Sequence, residues 1–360
     1  MPNSFIVQRL TGEYTLDSIS AAFCTPLYDA KAGTWIQEWA DEVVPGLTLP
    51  PILDPWATAG TVTAKGAELT GLPEGIPVCA GTIDAYAESA SVGVKAPGDI
   101  MLMYGTTLAI IGVLTESVPS ADLWSTPGVF PGTHVLLGAA ATSGALTRWV
   151  RDHLSDGWSF EQLIEQATET PPGASGLVVL PYFAGERTPL YDANARGVIA
   201  GLTLSHTRGH LYRAMLEATA YSACSMLAAF HDAGVESNRV VAIGGGTKGG
   251  LWTQIISDVT GISQELSNER IGPATATRCS RGGLPGWSAT TTTGRRSPTR
   301  WSQTRPTVRS TTGSTRCTSS STRQPRSRST RWPRCSSRRA SLRMADDRGT
   351  FGERSSRTRG

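Results

Sequence analysis

The stretch Asn238–Gly261 reads NRVVAIGGGTKGGLWTQIISDVTG and combines a strand, a glycine-rich turn and a helix. Asn238–Ile243 is an apolar run of strand length, and Leu251–Val259 is predicted as a helix that stops at Gly261. Glycines let the backbone approach a ligand closely, and the free amides at the helix start suit a nucleotide. The stretch is neither a Walker A loop nor a Rossmann fingerprint, so an ordinary tight turn stays open as the alternative.

Strands and helices alternate on either side of this unit, which predicts an α/β fold. Asp99–Tyr104 and Leu108–Leu114 read as two strands joined by a short turn. His210–His231 is predicted as a helix with its apolar residues on one face. Nearer the start of the chain, Thr63–Thr70 is predicted as a short helix and Ile76–Gly81 as a short buried strand.

The turn between the two predicted strands is Gly105-Thr106-Thr107. A turn of this composition can bind phosphate oxygens through backbone N–H groups and threonine hydroxyls. An ordinary hairpin turn would have a similar sequence, so the turn alone does not decide between the two interpretations.

Asp84 follows the predicted strand Ile76–Gly81 and precedes a run of small residues. A carboxylate at such a position faces a cleft and could take the proton from an attacking hydroxyl. The alternative is that Asp84 is only the N-cap of the helix that begins there.

The charge of the chain is divided unevenly along its length. Residues 273–360 contain 20 Arg, no Lys and 3 acidic residues, whereas residues 1–272 contain 13 basic and 27 acidic residues. A basic segment rich in Ser and Thr could be an arm that binds nucleic acid or a membrane surface. It has no hydrophobic period, so we expect residues 272–360 to be disordered.

Cysteine and histidine spacing excludes several classes of site. The six cysteines form no C-x-x-C pair, and the five histidines have no ligand-like pairing, so we expect no metal site built from them. No apolar run reaches 18 residues, so we expect no membrane span. Free thiols and the absence of a signal peptide favour a cytoplasmic location.

Four further segments carry a family resemblance. They are Gly197–Leu202 followed by His210–Glu217, the segment Leu180–Pro189 that includes GERTP, Ala141–Ala145 with Trp149, and Leu10–Glu13 with Asp17. With the motifs above, they make residues 3–271 resemble the FGGY carbohydrate kinases. That resemblance implies the actin/hexokinase-like (ribonuclease H-like) ATPase fold.

The resemblance also implies a role for particular residues. Asp84 stands where the family has its catalytic base. The nucleotide-binding positions are Gly105, Thr106 and Thr107 for the ATP phosphates, Gly144, Gly244, Gly245 and Gly246 for close approach to the nucleotide, and Thr247 and Lys248 after them. Gly249 occupies a position where Ser or Asn is common in the family, so one side-chain contact to the nucleotide could be missing.

The implied reaction is transfer of the γ-phosphate of ATP to a sugar hydroxyl, with xylulose or ribulose as the expected substrate. ATP and Mg²⁺ are the implied cofactors, and we expect no specific nucleic acid partner and no membrane partner. A homodimer stays open as the assembly state. The alternative is a catalytically dead remnant with the same fold.

The resemblance predicts a partial N-terminal domain over residues 1–94 and a C-terminal, nucleotide-side domain over residues 95–271. Family members begin with a strand carrying Asp-x-Gly-Thr, which this sequence lacks, so we expect a truncated start. The codons of Thr275–Gly282 permit Tyr-Gly-Asp-Ala-like family sequence when they are read one base back. We therefore interpret residues 272–360 as out-of-frame coding sequence.

Overall fold

Short elements make up the first part of the chain. The computed structural model describes residues 1–266 and the backbone of Arg300–Trp301. Up to residue 98 the elements are α1 (Pro2–Thr11), β1 (Leu16–Asp17), α2 (Ser18–Ala22), β2 (Tyr28–Asp29), β3 (Thr34–Trp35), α3 (Gln37–Val43), β4 (Ile52–Leu53), β5 (Thr58–Thr61), α4 (Ala64–Thr70), β6 (Pro77–Cys79) and α5 (Asp84–Ser91). β1 pairs with β4 in parallel, while β2 pairs with β3 and β5 with β6 antiparallel.

Two predictions in this part have different outcomes. The helix predicted at Thr63–Thr70 is confirmed as α4, because the Thr63 hydroxyl accepts the amide of Gly66 at 3.1 Å and Gly71 ends the helix with φ 74°. The strand predicted at Ile76–Gly81 is confirmed as β6, but its predicted burial is wrong. Pro77 and Cys79 are exposed, because β6 pairs only with β5 in a two-stranded sheet.

The second part of the chain is built on one seven-stranded sheet. Its elements are β7 (Asp99–Tyr104), β8 (Leu108–Leu114), β9 (Trp124–Pro127), β10 (His134–Ala140), α6 (Gly144–Leu154), α7 (Phe160–Glu169), β11 (Val178–Leu180), β12 (Val198–Ala200), α8 (Arg208–Asp232), β13 (Arg239–Ile243), α9 (Leu251–Thr260), β14 (Gln264–Leu266) and β15 (Arg300–Trp301). The strand order is β15-β14-β13-β7-β8-β10-β9. β13 runs parallel to both β7 and β14, and the other neighbouring strands are antiparallel.

The two faces of this sheet belong to different cores, because side chains alternate along each strand. Leu102 and Ala242 face a large core that also contains buried residues of α6, α7, α8 and α9. Met101 and Ile243 face a smaller core that contains Ile19 of α2 and residues of α5. Helices therefore cover both faces, as in the α/β class that the sequence predicts.

α8 confirms the helix predicted at His210–His231 but not its single apolar face. From Tyr212 to Ala220 every residue is buried, because α7 and α9 pack along the helix while α6, β8 and β10 also contact it. Two charged residues inside this buried stretch of α8, Arg213 and Glu217, are paired with each other. The Arg213 Nε donates to Glu217 at 2.8 Å, and Glu217 also accepts the amide of Gly173 at 2.9 Å.

Among the helices that the structure describes, none combines the length and apolar character needed to cross a lipid bilayer. The predicted disordered segment 272–360 and its out-of-frame interpretation lie outside the described residues, apart from the backbone of Arg300–Trp301.

Candidate active site

The Gly105–Thr107 turn joins β7 to β8 at the edge where β7 ends. The first residues of α6 hold it in place: Gly144 N–H donates to the Gly105 carbonyl at 2.9 Å, and Ala145 N–H donates to the Thr106 carbonyl at 3.0 Å. A Cβ at position 144 would lie 2.6 Å from the Gly105 oxygen, so only glycine permits this approach. Gly144 therefore shapes the turn, and its own amide is already bonded.

Thr106 and Thr107 keep their hydrogen-bonding groups available. Within residues 1–266, neither their amides nor their hydroxyls make a hydrogen bond, and Thr106 is exposed. Two adjacent amides and two hydroxyls on one turn are donors suited to an anion such as a phosphate group.

The three glycines after β13 serve different purposes. Gly244 has φ +97°, and a Cβ there would lie 2.6 Å from the Tyr104 carbonyl, so the ends of β13 and β7 meet at this glycine. A Cβ at Gly246 would lie 2.7 Å from the indole of Trp252. Among the residues that the structure describes, a Cβ at Gly245 would have no neighbour within 4 Å. Two of the glycines thus permit close packing, and Gly245 faces open space.

A cavity of about 470 Å³ lies between the two turns and the helices of the larger core. This volume is in the usual range for a small-molecule site. Six of the predicted nucleotide-binding residues line it, namely Gly105, Thr106, Gly144, Gly245, Gly246 and Lys248. Four other predicted site residues are not part of its lining: Asp84, Thr107, Gly244 and Thr247.

Sequence reasoning missed most of the cavity wall. The additional lining residues are Thr147 and Arg148 of α6, Phe160, Glu161 and Ile164 of α7, Tyr212 and Leu216 of α8, and Trp252 of α9, with Tyr104 at the end of β7. Gly249, which the sequence already singles out, also lines the cavity. Several of them are three or four residues apart on one helix, where side chains share a face. Counting from Gly144 by helical spacing would have found Thr147 and Arg148.

The cavity has a rigid aromatic wall. The rings of Tyr104 and Trp252 meet edge to face with centroids 5.4 Å apart, and Trp252 Nε1 donates to the Thr219 hydroxyl at 2.8 Å. Burial raises the pKa of Tyr212 to about 12, although its hydrogen bond with Thr147 opposes the shift. Tyr212 therefore stays neutral at physiological pH and contributes an apolar ring with one hydroxyl.

The charged groups of the cavity favour an anion. Arg148 and Lys248 are exposed at its lining, and neither has an ion-pair partner in residues 1–266. Glu161 is the one carboxylate on the lining, and hydrogen bonds from its own backbone amide and from the Ser159 hydroxyl lower its pKa. Two cations against one carboxylate give the cavity a positive field.

Asp84 is the first helical residue of α5, since Ile83 occupies the N-cap position. The alternative that Asp84 is the N-cap is therefore wrong. Its side chain is exposed, and its Oδ1 accepts the amide of Ala85 at 2.7 Å. A carboxylate in the first turn is stabilised by the positive end of the helix dipole and remains accessible to a ligand.

α5 packs on the face of the large sheet opposite the cavity. Ile83 and Tyr86 belong to the smaller core, whereas the cavity is lined by residues of the larger core. Arg239, which begins β13, donates to the carbonyls of Gly93 (3.1 Å) and Val92 (3.4 Å), so the residues just after α5 lie beside the start of that strand.

One consequence concerns Glu88, which lies one turn after Asp84 on the same side of α5. Burial raises the pKa of Glu88, and the negative charge of Asp84 raises it further. A raised pKa in the folded state means that Glu88 supports folding at low pH, where it is protonated, and opposes folding as the pH rises. We expect Glu88→Gln to increase the melting temperature at pH 7 and to change it less at pH 4. An equal change at both values would contradict this assignment.

Comparison with known proteins identifies the family of the chain. The model of the N-terminal domain of the FGGY family of carbohydrate kinases matches residues 1–93, and the model of its C-terminal domain matches residues 100–270. A xylulose kinase of Staphylococcus epidermidis is 28% identical over 278 residues, covering 76% of this chain and 55% of the relative. A ribulokinase of Shouchella clausii is 30% identical over 291 residues, covering 75% and 52%.

A solved structure gives the same result for the fold. The crystal structure of xylulose kinase from Rhodospirillum rubrum matches with a TM-score of 0.71 and 34% identity, over 79% of this chain and 59% of that chain. The predicted actin/hexokinase-like fold is confirmed by this likeness. The chain spans about half the length of the curated relatives it matches. Two family models together match most of the sequence, and the chain therefore belongs to the FGGY family of carbohydrate kinases.

Proposed function

We propose that this chain binds ATP in the cavity and takes part in the transfer of its γ-phosphate to a sugar hydroxyl. The observation that carries the proposal is the cavity beside Gly245 together with the donor turn at Thr106 and Thr107, since β7 and β13 are parallel neighbours that end at the same sheet edge. The exposed carboxylate of Asp84 begins a helix on the opposite face of this sheet.

Each feature has a role in the proposed reaction. The aromatic and aliphatic walls receive the adenosine, while Thr106, Thr107, Lys248 and Arg148 bind the phosphates. The γ-phosphate then lies at the edge between the cavity and Asp84, which takes the proton from the attacking hydroxyl. Phosphoryl transfer needs little covalent chemistry from the protein, so positioning and charge neutralisation supply most of the rate.

Xylulose or ribulose is the proposed substrate. This choice is supported by the names of the relatives, which are a xylulose kinase and a ribulokinase at similar identity. Nothing in the cavity discriminates between them, because its lining belongs to the nucleotide side of the proposed site.

Mg²⁺ is the proposed cofactor, bound mainly by the nucleotide. Among residues 1–266, no group of three or more His, Cys, Asp or Glu side chains is arranged to hold a metal ion. Mg²⁺ in kinases needs only one or two carboxylates beside phosphates and water. When bound, the ion neutralises charge that develops on the phosphates.

Three further properties of the chain are proposed together with the activity. They are the division into domains at residues 1–94 and 95–271, a location in the cytoplasm, and assembly as a homodimer. Size-exclusion chromatography with light scattering would test the last of these.

The cations of the cavity give a direct test of the nucleotide site. We expect Lys248→Ala and Arg148→Ala each to weaken ATP binding about five- to tenfold, the effect of roughly 1 kcal/mol per exposed ion contact. The loss should shrink at high salt, because exposed charges are screened. Isothermal titration calorimetry at two salt concentrations measures both effects, with exposed Lys65→Ala as the control. Unchanged ATP affinity in both variants would contradict the proposal that ATP binds in this cavity.

The activity itself is tested with the full chain in an ATP-coupled assay on a panel of sugars and polyols. We expect turnover with a pentulose. ATP binding without turnover of any sugar would instead support the inactive remnant, and the absence of ATP binding would overturn the proposal.

A further inference from the structure

The carboxylate of Asp17 is completely buried, at 0% exposure. Asp17 ends β1 and caps α2, where its Oδ1 accepts the amide of Ser20 at 3.0 Å. One capping bond does not require burial of the whole carboxylate, since most capping residues lie at the surface. A buried carboxylate is costly unless several donors satisfy it, so its other partners indicate what it stabilises.

Those partners belong to the segment that leads into Asp84. The Thr82 hydroxyl donates to Asp17 Oδ1 at 3.1 Å, and the Asn3 amide donates to Oδ2 at 2.9 Å. Asn3 also donates to the carbonyl of Ala80 at 3.3 Å. We call Asn3, Asp17 and Thr82 the Asp17 junction. It joins α1 and α2 to residues 80–82, which are 63 or more positions away from Asp17 in the sequence.

Tyr86 anchors α5 in the smaller core, where its hydroxyl lies 2.9 Å from that of Thr126. Asp84 itself is exposed, and the one hydrogen bond of its side chain within residues 1–266 goes to the neighbouring amide of Ala85. Its location therefore depends on how the backbone enters α5. Thr82 lies two residues before Asp84, and only Ile83 separates them. A contact that fixes Thr82 thus fixes the direction in which α5 begins.

We propose that Asp17 is a positioning residue for Asp84 and acts through Thr82. The inference rests on the proposed function, because it assigns Asp84 the role of proton acceptor. The capping bond to Ser20 and the bond to Thr82 serve different purposes. The first stabilises α2, and the second places the start of α5 against the rest of the fold.

The variant Thr82→Val separates these two roles of Asp17. It removes the Thr82 hydroxyl but keeps the size of the side chain and the hydrogen bond between Asp17 and Ser20. We expect the kcat of Thr82→Val to fall about ten- to hundredfold, since small misplacement of a reacting group has effects of this size. The KM for ATP should not change, and Thr82→Ser should restore kcat. Thr70→Val, which removes an exposed hydroxyl bonded within α4, is the matched control. Unchanged kcat in Thr82→Val would overturn the inference.

A second measurement does not need turnover. In the chain labelled with ¹³C at aspartate carboxyls, the Asp84 resonance is assigned by its loss in Asp84→Asn. We expect Thr82→Val to shift and broaden this resonance, and Thr82→Ser and Thr70→Val to leave it unchanged. If the wild-type chain turns over no sugar, the proposed kinase activity is contradicted. The Asp84 resonance still tests whether Asp17 positions Asp84 through Thr82. An unchanged Asp84 resonance in Thr82→Val overturns the inference whether or not the chain is active.

Discussion

Replacement of Asp84 by Asn is expected to lower kcat by about 10²- to 10⁴-fold, the usual contribution of a positioned general base. The amide keeps the size of the side chain but cannot accept a proton from the sugar hydroxyl. ATP affinity should stay the same, because the cavity lies on the other face of the sheet and Asp84 is not part of its lining. Steady-state kinetics with the preferred sugar, together with calorimetry for ATP, measures the two effects separately.

Glu88→Gln is the matched control for this substitution. Glu88 is the other carboxylate on the same side of α5 and is partly buried. Its loss should leave kcat within about twofold of the wild type, because Glu88 lies one helical turn after Asp84 and is less exposed. If Glu88→Gln abolished turnover and Asp84→Asn did not, the role of the base would belong to Glu88. If neither variant lost activity, no carboxylate of α5 would serve as the base.

Gly244→Ala is expected to destabilise the fold by roughly 2–4 kcal/mol, because it combines backbone strain with a steric clash. Gly244 has φ +97°, where an L side chain is strained, and the new methyl would lie 2.6 Å from the Tyr104 carbonyl. The clash is with backbone, so relief requires the ends of β13 and β7 to separate. ATP affinity should fall with stability, since the turn after β7 borders the cavity.

Gly245→Ala provides the comparison at the next position. The added methyl has no neighbour within 4 Å, so we expect a change in stability of less than about 1 kcal/mol. Its effect should be on ATP affinity, because Gly245 lines the cavity. Chemical denaturation followed by tryptophan fluorescence measures stability in both variants. Equal destabilisation of the two variants would show that the contact with Tyr104 is not what requires glycine at position 244.

Local signals were sufficient for β7, β8 and β13 of the larger sheet, whereas β9, β14 and β15 were not predicted. Asp99–Tyr104 and Leu108–Leu114 are strands with Tyr104 opposite Leu108, as expected for a short turn between them. Strand length, apolar runs and glycine stops are properties of neighbouring residues, so the sequence contains them directly. Gly261 ends α9 with φ 74°, which only glycine adopts without strain.

Burial was harder to predict, because it depends on which elements pack together. The single apolar face predicted for α8 ignores the fact that helices and strands surround its first half, where even Arg213 is buried beside Glu217. The burial predicted for Pro77 and Cys79 assumed a sheet wider than the two strands that form. Both errors are tertiary effects that override local periodicity.

In the candidate site, too, local features were predicted from the sequence, whereas features that depend on packing were not. The glycine turn at Gly244–Gly246 and the Gly105–Thr107 turn were identified from local composition, and the structure brings both to one edge. Gly144, a predicted nucleotide-binding position, lines the cavity, and its amide holds the Gly105–Thr107 turn in place. Residues such as Ile164 and Leu216 reach the cavity only because α7 and α8 pack on the sheet, and no local motif identifies them.

The different surroundings of the three glycines after β13 indicate how the proposed nucleotide site could be redesigned. Gly244 and Gly246 are fixed by the atoms that face them, so a mutant library should exclude both. Gly245 is free to vary, and so is Gly249 when its one close neighbour, the flexible end of Ile164, can shift. A library over Gly245, Gly249 and Ile164 would therefore alter nucleotide preference while preserving the scaffold.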